Sequence, residues 1–261
     1  MKPVYNCSLV LASHGSTASQ SGHRPEFEIA SQLQKFGIFS KVTPGFLSGD
    51  PHASEVLDTL PAGDVVVIPM TSSDGYFSEV VIPGKLQANT RLNDFRLMIT
   101  AALGSQAAIK NLVLARVIEI ILEHSLTPDD TSIVIAGYGG PQNENDEFTV
   151  NQLADSIRMT LSGIAVEVGF LNQNPHLELV AAKVETRNKI VVPFLISRDI
   201  QSVGDIPAAF GLTPGTNHRY PLRIETPTEV CIFDEPVGAY QAIADVCLDL
   251  ATNRMAGLQA A

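Results

Sequence analysis

Basic side chains are scarce in this sequence, with 17 Lys and Arg against 28 Asp and Glu in 261 residues and a net charge of −11. Nucleic acid and anionic membranes both call for a basic face, one to release counterions and the other to meet the surface potential, so neither is expected as a partner. Charge of either sign is thin, at 17% of residues, against roughly 25% in ordinary soluble domains. That deficit suits parallel strands covered on both faces. Cysteine is limited to Cys7, Cys231 and Cys247. Without a CxxC spacing or an even framework, these argue for a reducing compartment, and a cytoplasmic location is expected. No window offers 18 uninterrupted apolar residues, which excludes a membrane-spanning helix despite a positive mean hydropathy. The run Cys7-Ser8-Leu9-Val10-Leu11-Ala12 is too short for a signal-peptide core and reads as a strand. These absences leave a soluble protein with a small ligand.

What the sequence does have is a repeat at an offset of 124 residues. Gly45-Phe46-Leu47 with Pro51-His52 returns as Gly169-Phe170-Leu171 with Pro175-His176. Pro69 returns as Pro193, Ile82-Pro83 as Ile206-Pro207, and Ala12 and Gly15 as Ala136 and Gly139. The duplication predicts two domains, residues 1–127 and 128–261, each large enough to bury a core. Further on, Leu103-Gly104 matches Val237-Gly238 at an offset of 134, so the second copy carries about ten extra residues. The turn-rich stretch 211–221 is the expected site of that insertion, as a surface loop.

Within each copy, β-rich runs alternate with helical patterns. Residues 8–13, 41–46, 65–69 and 97–101 are strand-like, with counterparts at 135–137, 165–170, 189–193 and 230–233. Helices are expected over 26–36, 52–60 and 106–124, then over 149–161, 176–185 and 240–254. Regular alternation of this kind gives parallel sheets with right-handed crossovers. The fold class is therefore α/β, with two tandem domains, each a four-stranded parallel sheet flanked by helices.

Ligands of open parallel sheets bind beyond the carboxyl ends of the strands. Ser13-His14-Gly15-Ser16 stands at such an end in the first copy, whereas the second has Gly137-Tyr138-Gly139-Gly140. An imidazole titrates near neutrality and suits a base or a metal ligand, and it also serves to tie down a turn through backbone hydrogen bonds. Ser13 and Ser16 are small and polar and permit close approach, but no Gly-x-Ser-x-Gly elbow makes either a nucleophile. A phosphohistidine mechanism would need a cationic phosphate clamp beside His14, where the preceding residue is Ser13. Residues 72–77, with Ser73, Tyr76 and Phe77, follow the third strand and should lie beside His14. His52 and His176 are repeat-equivalent and follow a proline, which suggests a shared structural task, and His124 closes a helix where a cation meets the dipole. No pair of histidines has a metal-ligand spacing on one helix.

Together these residues resemble the sirohydrochlorin chelatase family, whose members insert Co, Fe or Ni into sirohydrochlorin-like tetrapyrroles. The matching motifs are Leu11-Ala12-Ser13-His14-Gly15-Ser16, Gly45-Phe46-Leu47 with Pro51, 65–73 with Gly75-Tyr76, Ile82-Pro83 and Ala102-Leu103-Gly104. In the second half they recur as Phe170-Leu171, Val191-Val192-Pro193-Phe194, Asp205-Ile206-Pro207 and Pro236-Val237-Gly238, so the resemblance covers nearly the whole chain. The tandem form is similar to the long, internally duplicated members, which implies a monomer where half-length members pair.

The resemblance implies a lyase of cobalamin or siroheme biosynthesis. It further implies a divalent transition metal as substrate, a tetrapyrrole held between the domains, and no organic cofactor. It casts His14 as the first catalytic histidine, binding the ion or accepting a pyrrole proton. Phe77 stands where a second histidine is expected and Ser48 where members often have an acid, while the second copy offers Tyr138, Asn172 and Gln201 at these places. The implied metal site is degenerate. Asp74 is either a substitute carboxylate or a turn residue beside Gly75, and Glu79 either a second catalytic group or a solvated helix start. Tyr76 and Tyr138 would face the substrate from the two domains, and Arg198 would either meet a substrate carboxylate or lie in solvent. Beside the chelatase reading stands a noncatalytic carrier or sensor of a tetrapyrrole or metal, for which Phe77 argues, because an aromatic ring stacks on a macrocycle better than it holds an ion. A divergent enzyme acting on another small molecule is a third reading, since fold does not fix function.

Overall fold

A computed structural model describes residues 5–15, 25–140, 144–196, 204–212 and 220–259. The first sheet holds β1 (Cys7–Gly15), β2 (Val42–Ser48), β3 (Gly63–Pro69) and β4 (Phe95–Ile99), all parallel, in the order β2-β1-β3-β4. Every residue of β1 from Cys7 to Ser13 is buried, as befits a strand covered on both faces. The second sheet holds β5 (Thr131–Gly137), β6 (Ala165–Phe170), β7 (Asn188–Pro193), β8 (Leu222–Glu225) and β9 (Val230–Phe233), in the order β6-β5-β7-β9-β8.

The repeat is visible in the strand registers. Ala12 lies opposite Gly45 and Pro69, and Ala136 lies opposite Gly169 and Pro193. Both copies also carry a cis peptide before the equivalent proline, at Asp50-Pro51 and Asn174-Pro175. One difference from the expected pair of four-stranded parallel sheets is β8, a fifth strand that pairs antiparallel with β9. It directly follows the inserted stretch, and its alternation of half-buried and exposed residues is that of an edge strand. The loop expected over 211–221 falls largely outside the described residues.

The helices are α1 (Pro25–Lys35), α2 (Ile82–Gln87), α3 (Ala107–Glu123), α4 (Glu144–Thr160), α5 (Leu177–Lys183), α6 (Ile206–Ala209) and α7 (Ile243–Gln259). Each long one buries a stripe at helical spacing. In α1 the stripe is Glu26, Ile29, Ala30 and Leu33; in α3 it is Ile109, Val113, Val117 and Ile120; in α7 it is Ile243, Cys247, Ala251 and Met255. The helix expected over 52–60 is only a 3₁₀ turn, Val56–Thr59. His52 forms a parallel bridge with Phe46, and its Nε2 reaches the Leu47 carbonyl at 3.0 Å, so the chain stays tied to β2 and turns helical late. Among the described residues no helix is long and apolar enough to cross a membrane.

Two compact units result. The first comprises Met1–Gln106 with Gln241–Ala261, the second Ala107–Tyr240. These units differ from the sequence repeats by an exchange of helices. α3, which ends the first repeat, belongs to the second unit, while α7, which ends the second repeat, packs on α1 and β3 of the first.

α3 is anchored within its unit by a buried polar cluster. Arg116 Nε donates to Asp234 Oδ1 at 3.1 Å, and the Tyr240 hydroxyl donates to Asp234 Oδ2 at 2.6 Å. Asp234 is 0% exposed, so both bonds are shielded from water. Burial, and then the neighbouring Asp234 carboxylate, push the Tyr240 phenol well above its ordinary pKa.

Candidate functional site

In the order β2-β1-β3-β4 the chain passes from β1 to β2 on one side and then crosses back over to β3 on the other side of β1. Between β1 and β3 lies the switch point at which open parallel sheets form a crevice beyond their carboxyl ends. Sheet topology alone therefore selects the segments after Ser13 and after Pro69.

At the end of β1, Ser13 is buried and His14 is exposed, as alternate residues of a strand face opposite ways. The Ser13 hydroxyl donates to Glu26 Oε1 of α1 at 2.7 Å. His14 Nδ1 lies 3.1 Å from the Gly15 carbonyl oxygen. A carbonyl only accepts, so Nδ1 carries the hydrogen and the lone pair of the neutral ring resides on Nε2. Gly15 is required by its surroundings, because its φ is +72° and a Cβ there would sit 2.2 Å from the Ser48 carbonyl oxygen. The direction in which His14 leaves the strand is thus set on both sides.

The loop after β3 is braced by the segment after β4. Asp74 Oδ1 accepts from the Ala102 backbone N–H at 2.6 Å, and its own N–H donates to Ser105 Oγ at 3.0 Å. Gly104 N–H donates to the Thr71 carbonyl at 3.0 Å, and a Cβ on Gly104 would lie 2.1 Å from the Ser72 oxygen. Asp74 is therefore a structural brace, the turn reading of the two. The chain then enters a π-helical turn, Tyr76–Val81, that leads directly into α2. Ser78 closes its start by accepting from the Gly75 N–H and donating to the Gly75 carbonyl. Wide turns of this kind are frequent at functional sites because they aim side chains that a regular helix would space differently.

This turn brings Phe77 to His14. Their ring centroids are 5.4 Å apart with an interplanar angle of 76°, an edge-to-face contact, and Tyr76 meets Phe77 in the same manner at 5.9 Å. Tyr76 is 48% exposed and Val80 is exposed beside it, so the imidazole sits at the margin of an apolar surface. Glu79 is exposed on the same turn. Ser73, expected to face substrate, is 2% exposed. Ser13, with the same expectation, is turned inward to Glu26. Neither side chain is open to solvent in this structure. Ser16 and Arg198 lie outside the described residues. Among the described residues no three His, Cys, Asp or Glu side chains group closely enough to hold a metal.

His52 has both ring nitrogens engaged, Nε2 with the Leu47 carbonyl and Nδ1 with Ser54 at 2.6 Å, in keeping with a structural task. In the second unit Tyr138 is exposed after β5, and Gly139 repeats the left-handed backbone of Gly15 with φ +71°. There the turn is filled by Gln173, whose Oε1 accepts from the Gly140 N–H at 2.9 Å, at the place where the first unit has Gly49. Glu26 was missed by sequence reasoning. Its only signal is an acidic first turn after Pro25, which many exposed helix starts share.

Residues 8–120 match the CbiX family model. A probable sirohydrochlorin cobaltochelatase of Halobacterium salinarum is 26% identical over 225 residues, covering 77% of this chain and 75% of that protein. Among solved structures, DR2241 of Deinococcus radiodurans, a multi-domain protein with structural similarity to chelatases, aligns with 95% of this chain at TM-score 0.69 and 23% identity. This chain spans 54% of the length of that protein. SirB from Bacillus subtilis with Fe3+ aligns over 98% of both chains at TM-score 0.70 and 14% identity, a likeness of fold. The CbiX match takes in β1, His14 and the Tyr76–Val81 turn, and over that stretch, less than half of the 261 residues, the chain is similar to that family.

Proposed function

We propose that this protein inserts a divalent transition metal, Co, Fe or Ni, into sirohydrochlorin or a related tetrapyrrole at the carboxyl end of the first sheet. The observation that carries the reading is the exposed imidazole of His14, with Nδ1–H spent on the Gly15 carbonyl, Nε2 without a hydrogen-bond partner among the described residues, and the ring of Phe77 beside it, which Tyr76 meets in turn. Metal insertion replaces two pyrrole N–H hydrogens with one dication and releases two protons. Nε2 is the right acceptor for one of them, or the ligand that presents the ion, because neutral imidazole binds borderline metals well. Tyr76, Phe77 and Val80 would receive the face of the macrocycle, in contacts that offset and edge-on ring packing favour. Glu79 is the second candidate, as a carboxylate exposed on the same turn.

The experiment is an anaerobic absorbance time course of sirohydrochlorin with Co2+, Ni2+ or Fe2+, comparing the protein, its His14→Ala variant and no protein. A protein-dependent conversion to the metallated spectrum that His14→Ala loses supports a chelatase. No acceleration with any of the three ions sinks the reading. A carrier or sensor is favoured instead by Phe77, which stands where the resemblance implies a second histidine, since a ring there stacks but cannot ligate. A spectral change on binding sirohydrochlorin alone, without faster insertion, would support that second reading.

A further inference from the structure

We propose that Glu26 is a positioning residue for His14, acting through the Ser13 hydroxyl; the inference rests on the reading of His14 as the reacting group. Glu26 is 3% exposed and Ser13 is 1% exposed, and the two meet at 2.7 Å. Burial of a carboxylate is costly unless it is hydrogen-bonded, and a bond to a charged acceptor is stronger than a neutral one. The placement of Glu26 in the first turn of α1 adds the favourable field of the helix N-terminus.

The consequence falls on the neighbour of Ser13. His14 is exposed, with the edge-to-face ring of Phe77 beside it, while the residue before it is pinned to α1 and the residue after it lies against the Ser48 backbone with no room for a Cβ. Its ring bonds to the Gly15 carbonyl, so the tautomer depends on the path of this backbone. Release of Ser13 frees the last residues of β1 to rotate, and the Nδ1–H contact with Gly15 loses its geometry. A misplacement of about 1 Å at a reacting group costs up to about 100-fold in rate.

The test uses the full chain labelled with 15N-histidine, and compares Glu26→Ala, Glu26→Gln and Ser13→Ala with the parent. The His14 signals are assigned by their disappearance in His14→Ala. Expected in Glu26→Ala and Ser13→Ala are loss of the single Nδ1–H tautomer of His14 and a fall in the kcat of metal insertion by about tenfold to 100-fold, with KM little changed. Glu26→Gln should keep both properties, because an amide oxygen still accepts the Ser13 hydroxyl hydrogen. Unchanged His14 signals and kcat in Glu26→Ala or Ser13→Ala, with only a lower melting temperature, overturn the proposal. So does a Glu26→Gln variant as impaired as Glu26→Ala, since the charge and not the acceptor would then be what counts. Should Glu26→Ala fail to fold, Ser13→Ala decides alone. The tautomer readout stands even if the protein inserts no metal, so the two readings fail separately.

Discussion

Substitution Phe77→His probes how close this site stands to a two-imidazole metal centre. The His14 and Phe77 centroids are 5.4 Å apart. Two imidazoles that bind one ion at about 2.1 Å, with centroids roughly 1.1 Å behind the ligating nitrogens and a tetrahedral angle between them, stand about 5.2 Å apart. The centroid spacing, an ordinary one for an edge-to-face pair, is also close to what two imidazoles sharing an ion would need. Loss of the edge-to-face contact should cost the metal-free variant about 0.5–1.5 kcal/mol. Added Co2+ should reverse the sign, since an ion at 100 times its dissociation constant stabilises the folded state by about 2.7 kcal/mol. The assay is urea or thermal unfolding with and without Co2+, run on the parent, Phe77→His and Phe77→Leu, the last removing the ring without adding a ligand. Phe77→His is expected to be less stable than the parent without metal and to gain more from Co2+ than either other protein. Its insertion of Co2+ into sirohydrochlorin should be faster as well. A variant that gains no more from the ion than Phe77→Leu refutes the geometry, because the two rings would then not converge on one point.

Asp234→Ala should lower stability by about 3 kcal/mol, as it strands the partly buried Arg116 guanidinium and the buried Tyr240 hydroxyl. Chemical denaturation with equal losses for Asp234→Ala and a surface control such as Asp155→Ala would contradict it. Alkaline pH should also weaken the fold. Burial raises the Cys247 thiol to about 12, and burial with Asp234 raises the Tyr240 phenol well above its usual value. Above pH ~9 the unfolded chain gives up protons that the folded chain retains, so stability is complete below that point and declines as pH climbs toward the folded values. Melting temperatures measured from pH 8 to 11 should fall across that window, and Cys247→Ala should flatten the decline; a flat parent curve would exclude the mechanism.

The sheets were legible because their strands are buried on both faces and appear as unbroken apolar runs, such as Val65-Val66-Val67-Ile68 and Ile190-Val191-Val192. The repeat added the registers, since a shared offset of 124 puts equivalent residues opposite equivalent partners. β8 was missed because an edge strand of four residues, half of them exposed, carries little apolar signal. The stretch 52–60 has helical periodicity, but its first residues answer to β2, a tertiary tie that no local pattern encodes. At the candidate site, the nearness of His14 to the loop that carries Phe77 was readable from topology and order. The inward turn of Ser13 and the burial of Glu26 were not, because both depend on where α1 lands on the sheet.

The exchange of helices has a consequence for the order of synthesis. The second unit, Ala107–Tyr240, is contiguous and can close as soon as its last strand leaves the ribosome. The first unit cannot, since the buried stripe of α7 that packs on α1 and β3 is made only after Ile243. The unit that carries His14 is begun first and finished last. A ribosome that stalls after Tyr240 would release a chain with one finished unit and an open apolar surface on the other, the kind of lesion that chaperones and proteases recognise.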